Sequence, residues 1–199
     1  QIGEKIPISL EHASTVRQDL LAAGFRGDKA VAIFYGIKIV TAAAVAVLGY
    51  FGVGAFLNVA TPLQMVIVAA SAVVGYLLPS LVLEQLIEHR QETIRFALPD
   101  VLDLMVVCVE AGLGLDQAIL TVARELQTTH PMLCNELSLV NLEMRAGMRR
   151  ADALHNFSER TGEKEVRKLV AILIQTDRFG TSIADALRTH SVFLRKRRR

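Results

Sequence analysis

The chain has 199 residues, 52% of them hydrophobic but only 6% aromatic and none Trp, a balance that favours helices rich in Ala, Val and Leu in one domain or two small ones. A mean hydropathy of +0.38 is high for a water-soluble domain, and a net charge of +2 gives no argument for a nucleic-acid partner. Cys108 and Cys134 lack CxxC or Cys/His ligand spacing, which argues against a disulfide framework or a zinc site and leaves both as small buried hydrophobes.

Residues 8–29, "ISLEHASTVRQDLLAAGFRGDK", read as a short amphipathic helix ending at Gly24, with Leu10, Val16, Leu20 and Leu21 as its apolar stripe, inside a cytoplasmic segment over 1–29. Two uncharged runs follow. "IVTAAAVAVLGYFGVGAFL" at 39–57 has 19 residues and extends back to Val31 if Lys38 snorkels, and "LQMVIVAASAVVGYLLPSLVL" at 63–83 has 21. Each is long enough to cross a hydrocarbon core of ~30 Å as a helix. Lys5, Arg17, Arg26 and Lys29 precede the first run and Arg90 and Arg95 follow the second, whereas the joining "NVATP" at 58–62 is uncharged. The positive-inside rule therefore places both outer ends in the cytoplasm and the short loop outside it. The expectation is a transmembrane hairpin over 30–84, with spans at about 31–57 and 63–83, a kink at Pro79 and close packing at Gly49, Gly52 and Gly54. Two buried helices of a soluble core are the alternative, but the rest of the chain holds too little apolar surface to cover both.

A charged helical connector over 85–97 leads into a helical domain over 98–195 and a basic juxtamembrane segment, "RKRRR", at 195–199. "LPDVLDLMVVCVEAG" predicts a helix that starts near Pro99, with Asp100 and Asp103 in its first turn, and stops at Gly112. Five more helices follow, with turns at Gly114, His130/Pro131, Gly147, Gly162 and Gly180. The octets "GLGLDQAI", "GMRRADAL" and "GTSIADAL" place Gly112, Gly147 and Gly180 as left-handed caps and Ala118, Ala153 and Ala186 on the next helix, where a small side chain lets two helices approach. Their spacing of 35 and 33 residues suits a helical repeat, yet unequal helices and a missing TPR pattern favour a closed bundle of about six helices. The expected fold class is all-α.

Three segments carry a resemblance: "ALPDVLDLMVVCVEAGLGLDQAI", "ELSLVNLEMRAGMRRADALHNFSERTG" and "LVAILIQTDRFGTSIADALRTHSVFLRKRRR". They resemble, in family order, the type II secretion system F domain, most closely the TadC branch of Tad (Flp) pilus machines, and "LLAAGFRGDKAVAIFYGIKIV" is similar to the approach to that branch's membrane region. The resemblance implies a non-enzymatic platform protein of the bacterial inner membrane. Its implied partners are membrane lipid, a cytoplasmic hexameric assembly ATPase, pilin subunits and a paralogous, TadB-like platform subunit, in a homo- or hetero-oligomer. Relatives continue into further membrane helices, and with no initiating Met and an abrupt basic stop the chain reads as truncated at both ends.

No G-x-x-x-x-G-K-[ST] is present, so nucleotide hydrolysis is assigned to a partner, and no catalytic, cofactor-binding or metal residues are expected. His130 and Cys134 stand four apart without further ligands, and His89, His155 and His190 read as solvated helix residues. Asp100, Asp103 and Glu110 share one helix face, either as a solvated row or as an acidic contact for a basic partner. Arg145, Arg149 and Arg150 form a second candidate contact. The run Arg195, Lys196, Arg197, Arg198 and Arg199 is read as meeting anionic lipid, with no nucleic acid involved. A membrane-anchored helical adaptor or receptor for a peptide or signalling partner is the alternative function. An intramembrane enzyme is disfavoured because the spans hold no His, Asp or Glu.

Overall fold

A computed structural model describes residues 16–25, 27, 29–56, 61–179 and 183–198, and among them every regular element is a helix. In chain order these are α1 (16–23), α2 (Ala30–Phe56), α3 (Thr61–Glu110), α4 (Leu115–Glu125), α5 (Pro131–Arg145), α6 (Arg150–Thr161), α7 (Lys164–Phe179) and α8 (Ile183–Arg198). The chain divides into two compact units, Gln1–Glu88 and His89–Arg199, with α3 contributing to both. The all-α expectation holds.

In the first unit, α1 ends at Gly24, as expected, and residues 1–15 of the amphipathic segment lie outside the described residues. Leu20 of α1, Phe34 of α2 and Leu83 of α3 form a small apolar core. Beyond it, α2 and α3 bury little: windows within Ala30–Gly52 and Gln64–Glu110 are long and apolar enough to cross a membrane, yet only 6% and 17% of them is buried. A core helix of a soluble protein would show the reverse. The two helices meet through small residues. A methyl group at Gly75 would lie 2.7 Å from the Thr41 carbonyl oxygen and 2.9 Å from the Ala42 Cα, and one at Gly49 would lie 2.6 Å from the Ser71 Oγ. The hydroxyls here are satisfied within their own helices, Thr41 Oγ1 donating to the Ile37 carbonyl at 2.9 Å and Ser71 Oγ to that of Val68 at 2.8 Å. Gly49 thus packs as expected and Gly52 faces open space; of the expected joining segment at 58–62, Thr61 and Pro62 open α3, while 58–60 and the side of Gly54 lie outside the described residues.

Two sequence expectations fail on α3. No helix starts near Pro99: α3 runs unbroken through Pro79 and Pro99, so Asp100 and Asp103 stand deep in a 50-residue helix and not in a first turn. The second unit also begins at His89, so most of the expected 85–97 connector is part of the bundle, which does not start at 98. The reason is the stripe Ile94, Leu98, Val101, Leu102 and Met105, all buried and spaced at helical intervals on both sides of Pro99. A proline inside a helix forfeits one hydrogen bond and costs ~3 kcal/mol, which burial of this stripe outweighs at roughly 1.5–3 kcal/mol per side chain.

The second unit is closed. Its core joins the α3 stripe to Ile119 and Val122 of α4, Leu133 and Val140 of α5, Phe157 of α6, Val166 of α7 and Leu187 of α8. Gly112 and Gly147 cap their helices at φ 92° and 93°, a region that costs L-residues about 1–2 kcal/mol. Ala118 and Ala153 are fully buried at the following corners, while Ala186 is half-buried and Gly180 lies outside the described residues. The Glu163 carboxylate caps α7, accepting from the backbone N–H of Glu165 and, at 3.1 Å, of Val166. An open solenoid would leave its ends apart, whereas here α8 returns to α3.

Candidate interaction surface

Three of the six residues expected to meet a partner use their carboxylates to fasten α3. Asp100 Oδ2 is 2.9 Å from His130 Nε2 at the start of α5, Asp103 accepts from the Ser191 hydroxyl of α8, and Glu110 pairs with Arg188 one turn earlier on α8. The acidic row is therefore a seam, although Asp100 and Glu110 each keep about half of their side chain exposed. On the basic side, Arg150 bridges Asp116 of α4, in a bidentate pair at 2.7 and 3.0 Å, and Asp177 of α7. Its guanidinium is held above the ordinary arginine range first by the Asp116 hydrogen bond. Among the described residues Arg149 pairs with Asp152 alone, one turn away and largely in solvent, and Arg145 is exposed with no ion pair.

The structure therefore separates the basic candidates. Arg150 is a strut of the bundle, while Arg145 and Arg149 flank the α5–α6 turn beside the exposed side chains of Leu142 and Met148. The side chains of Arg195, Lys196, Arg197, Arg198 and Arg199 lie outside the described residues, so the basic segment is described only as the end of α8.

The strongest electrostatic feature was missed from sequence. Glu136 is 0% exposed on α5 and accepts from Arg90 Nη2 of α3 at 2.5 Å and from Arg160 Nε of α6 at 3.0 Å, while Arg160 also pairs with Glu143. Arg90 Nη1 adds a 3.4 Å bond to the Arg160 carbonyl. Arg90 is thus a bundle residue as well as a charge that flanks the second apolar run. The legible signal was Glu136 itself, which falls between Leu133 and Val140 on the apolar face of α5. His190 departs from expectation too: it is 7% exposed, stacks on Phe193 and has its imidazolium disfavoured, first by burial. Cys108 and Cys134 are both buried free thiols, and burial pushes the Cys134 thiol up.

Residues 101–199, nearly the whole second unit, match the model of the family described as type II secretion system (T2SS), protein F. That stretch is similar to the T2SS F domain. Members of that family are membrane platform components rather than enzymes. No curated protein and no solved structure matches the chain significantly. The F domain borrows from outside the matched stretch: Arg90, Ile94 and Leu98 precede residue 101, yet they complete its buried ion-pair network and core.

Proposed function

We propose that the chain is a platform subunit of a Tad or type IV-like pilus machine of the bacterial inner membrane, of the TadC branch, coupling a cytoplasmic assembly ATPase to the extraction and assembly of pilins. The observation that carries this reading is the F domain at 101–199 directly behind two apolar helices that bury almost nothing. In this reading α2 and the first half of α3 cross the membrane as a hairpin, and the F domain lies in the cytoplasm. α3 belongs to both units and offers a covalent route by which a push on the F domain reaches the spans. A TadB-like paralogue shares the platform, and pilins meet the spans.

For the ATPase we favour the α5–α6 turn, where exposed Leu142 and Met148 stand with Arg145 and Arg149, an apolar centre with basic neighbours that suits an acidic partner surface. Copurification of the detergent-solubilised protein with candidate ATPases tests the reading. A stable complex that weakens on replacing Arg145 and Arg149 by Glu is expected, and a complex that survives removal of residues 89–199 contradicts it.

A further inference from the structure

The first unit holds an open cavity of about 440 Å³ between α1, α2 and the middle of α3, and its walls are ordered by charge. Lys38 marks one end. Its ammonium lies 4.8 Å from the centre of the Phe34 ring and 4.9 Å from that of Tyr76, and it forms no ion pair among the described residues. Ser80, Glu84 and Glu88 follow at successive i, i+4 steps along one face of α3, each step about 6 Å of rise. Asp19 of α1 faces the same space. Burial first, and the neighbouring Glu84 carboxylate second, raise its carboxyl above the ordinary range. Tyr76 lies on the apolar side of Ser80, so the order along α3 runs from hydrocarbon-facing surface, through a cation and a hydroxyl, to carboxylates.

An aminophospholipid has the same order: acyl chains, then phosphate, then a primary ammonium outermost. We propose that this cavity seats the headgroup of phosphatidylethanolamine, with the phosphate on Lys38 and Ser80 and the ammonium among Glu84, Glu88 and Asp19. The site rests on the membrane-hairpin reading and adds to it a lipid of defined chemistry at one end of the hairpin. Phosphatidylglycerol satisfies Lys38 but leaves the carboxylates facing its uncharged glycerol. Phosphatidylcholine brings a cation without N–H donors to give them.

The test reconstitutes the chain in nanodiscs of equal parts phosphatidylethanolamine, phosphatidylglycerol and phosphatidylcholine and reads retained lipid by native mass spectrometry. Phosphatidylethanolamine is expected to be enriched about tenfold over the other two, a preference worth about 1.4 kcal/mol. Glu84→Gln with Glu88→Gln, both exposed and safe for folding, should abolish that preference while leaving phosphatidylglycerol binding in place. Lys38→Gln should reduce retention of both phosphatidylethanolamine and phosphatidylglycerol. Equal retention of the three lipids, a preference for phosphatidylglycerol, or a preference that survives the double substitution overturns the site. A chain that fails to float with liposomes overturns the hairpin reading beneath it, which is a separate and visible outcome.

Discussion

Glu136 is the residue on which the second unit is most exposed to failure. It has no access to water, and its two oxygens are divided between Arg90 and Arg160 on different helices. Removing one partner of such a cluster strands the others, at a typical cost of 3–5 kcal/mol, whereas replacing the whole cluster by apolar groups is often neutral. Glu136→Ala should therefore lower the melting temperature of the detergent-solubilised chain by several degrees. The fourfold change Glu136→Leu, Arg90→Met, Arg160→Leu and Glu143→Gln, the last for the half-buried partner of Arg160, should recover most of that loss in the same melt, and a fourfold variant as unstable as the single one contradicts the account. His190 gives the bundle a pH dependence. Burial on α8 disfavours its charged form, so the unfolded chain binds the proton more readily, and stability is complete above the ordinary value of 6.5 and declines as pH falls through it. The facing groups are the Glu165 carbonyl and carboxylate, which oppose this shift, and Lys168, which adds to it. Melts at about pH 7.5 and about pH 5.5 should differ less in His190→Asn than in the parent chain.

At the scale of elements, the hairpin depends on how closely α2 and α3 approach, and the two glycines that test this differ in one respect. Gly75→Ala drives a methyl into backbone atoms of α2 that cannot yield, so it should weaken the α2–α3 contact by about 1–3 kcal/mol, while Gly52→Ala meets nothing within 4 Å and should be silent. Rates of cross-linking between single cysteines placed on α2 and α3 measure the contact directly. Sequence reading found Gly49 but not Gly75, because a glycine count cannot say which face of a helix meets its neighbour. The same limit explains the boundary of the bundle. Gly112 and Gly147 were legible as corners because a left-handed cap is a local requirement. Pro99 predicts a helix start because its local preference is strong, and only the burial of Ile94 and Leu98 against later helices shows why the helix continues through it. Among the candidate contacts, the charges of Asp100, Asp103 and Glu110 were visible, but their partners His130, Ser191 and Arg188 stand 30, 88 and 78 residues away. No spacing rule reaches that far.

For the whole molecule, two lightly buried apolar helices and an F domain together point to a membrane platform, and topology is the first property to check. A cysteine placed at Val59 in the hairpin loop should react with an impermeant maleimide added to intact cells, while one at Arg145 should react only after the membrane is opened. The native Cys108 and Cys134 are buried and give little background. The reverse labelling pattern places the F domain on the wrong side for a cytoplasmic motor. The central claim, that the chain couples such a motor to filament growth, is tested most directly by counting surface pili after deletion of its gene and after its restoration. The account predicts loss of filaments with pilin still present in the membrane, and their return with the parent gene. Undiminished piliation in the deletion strain would contradict it.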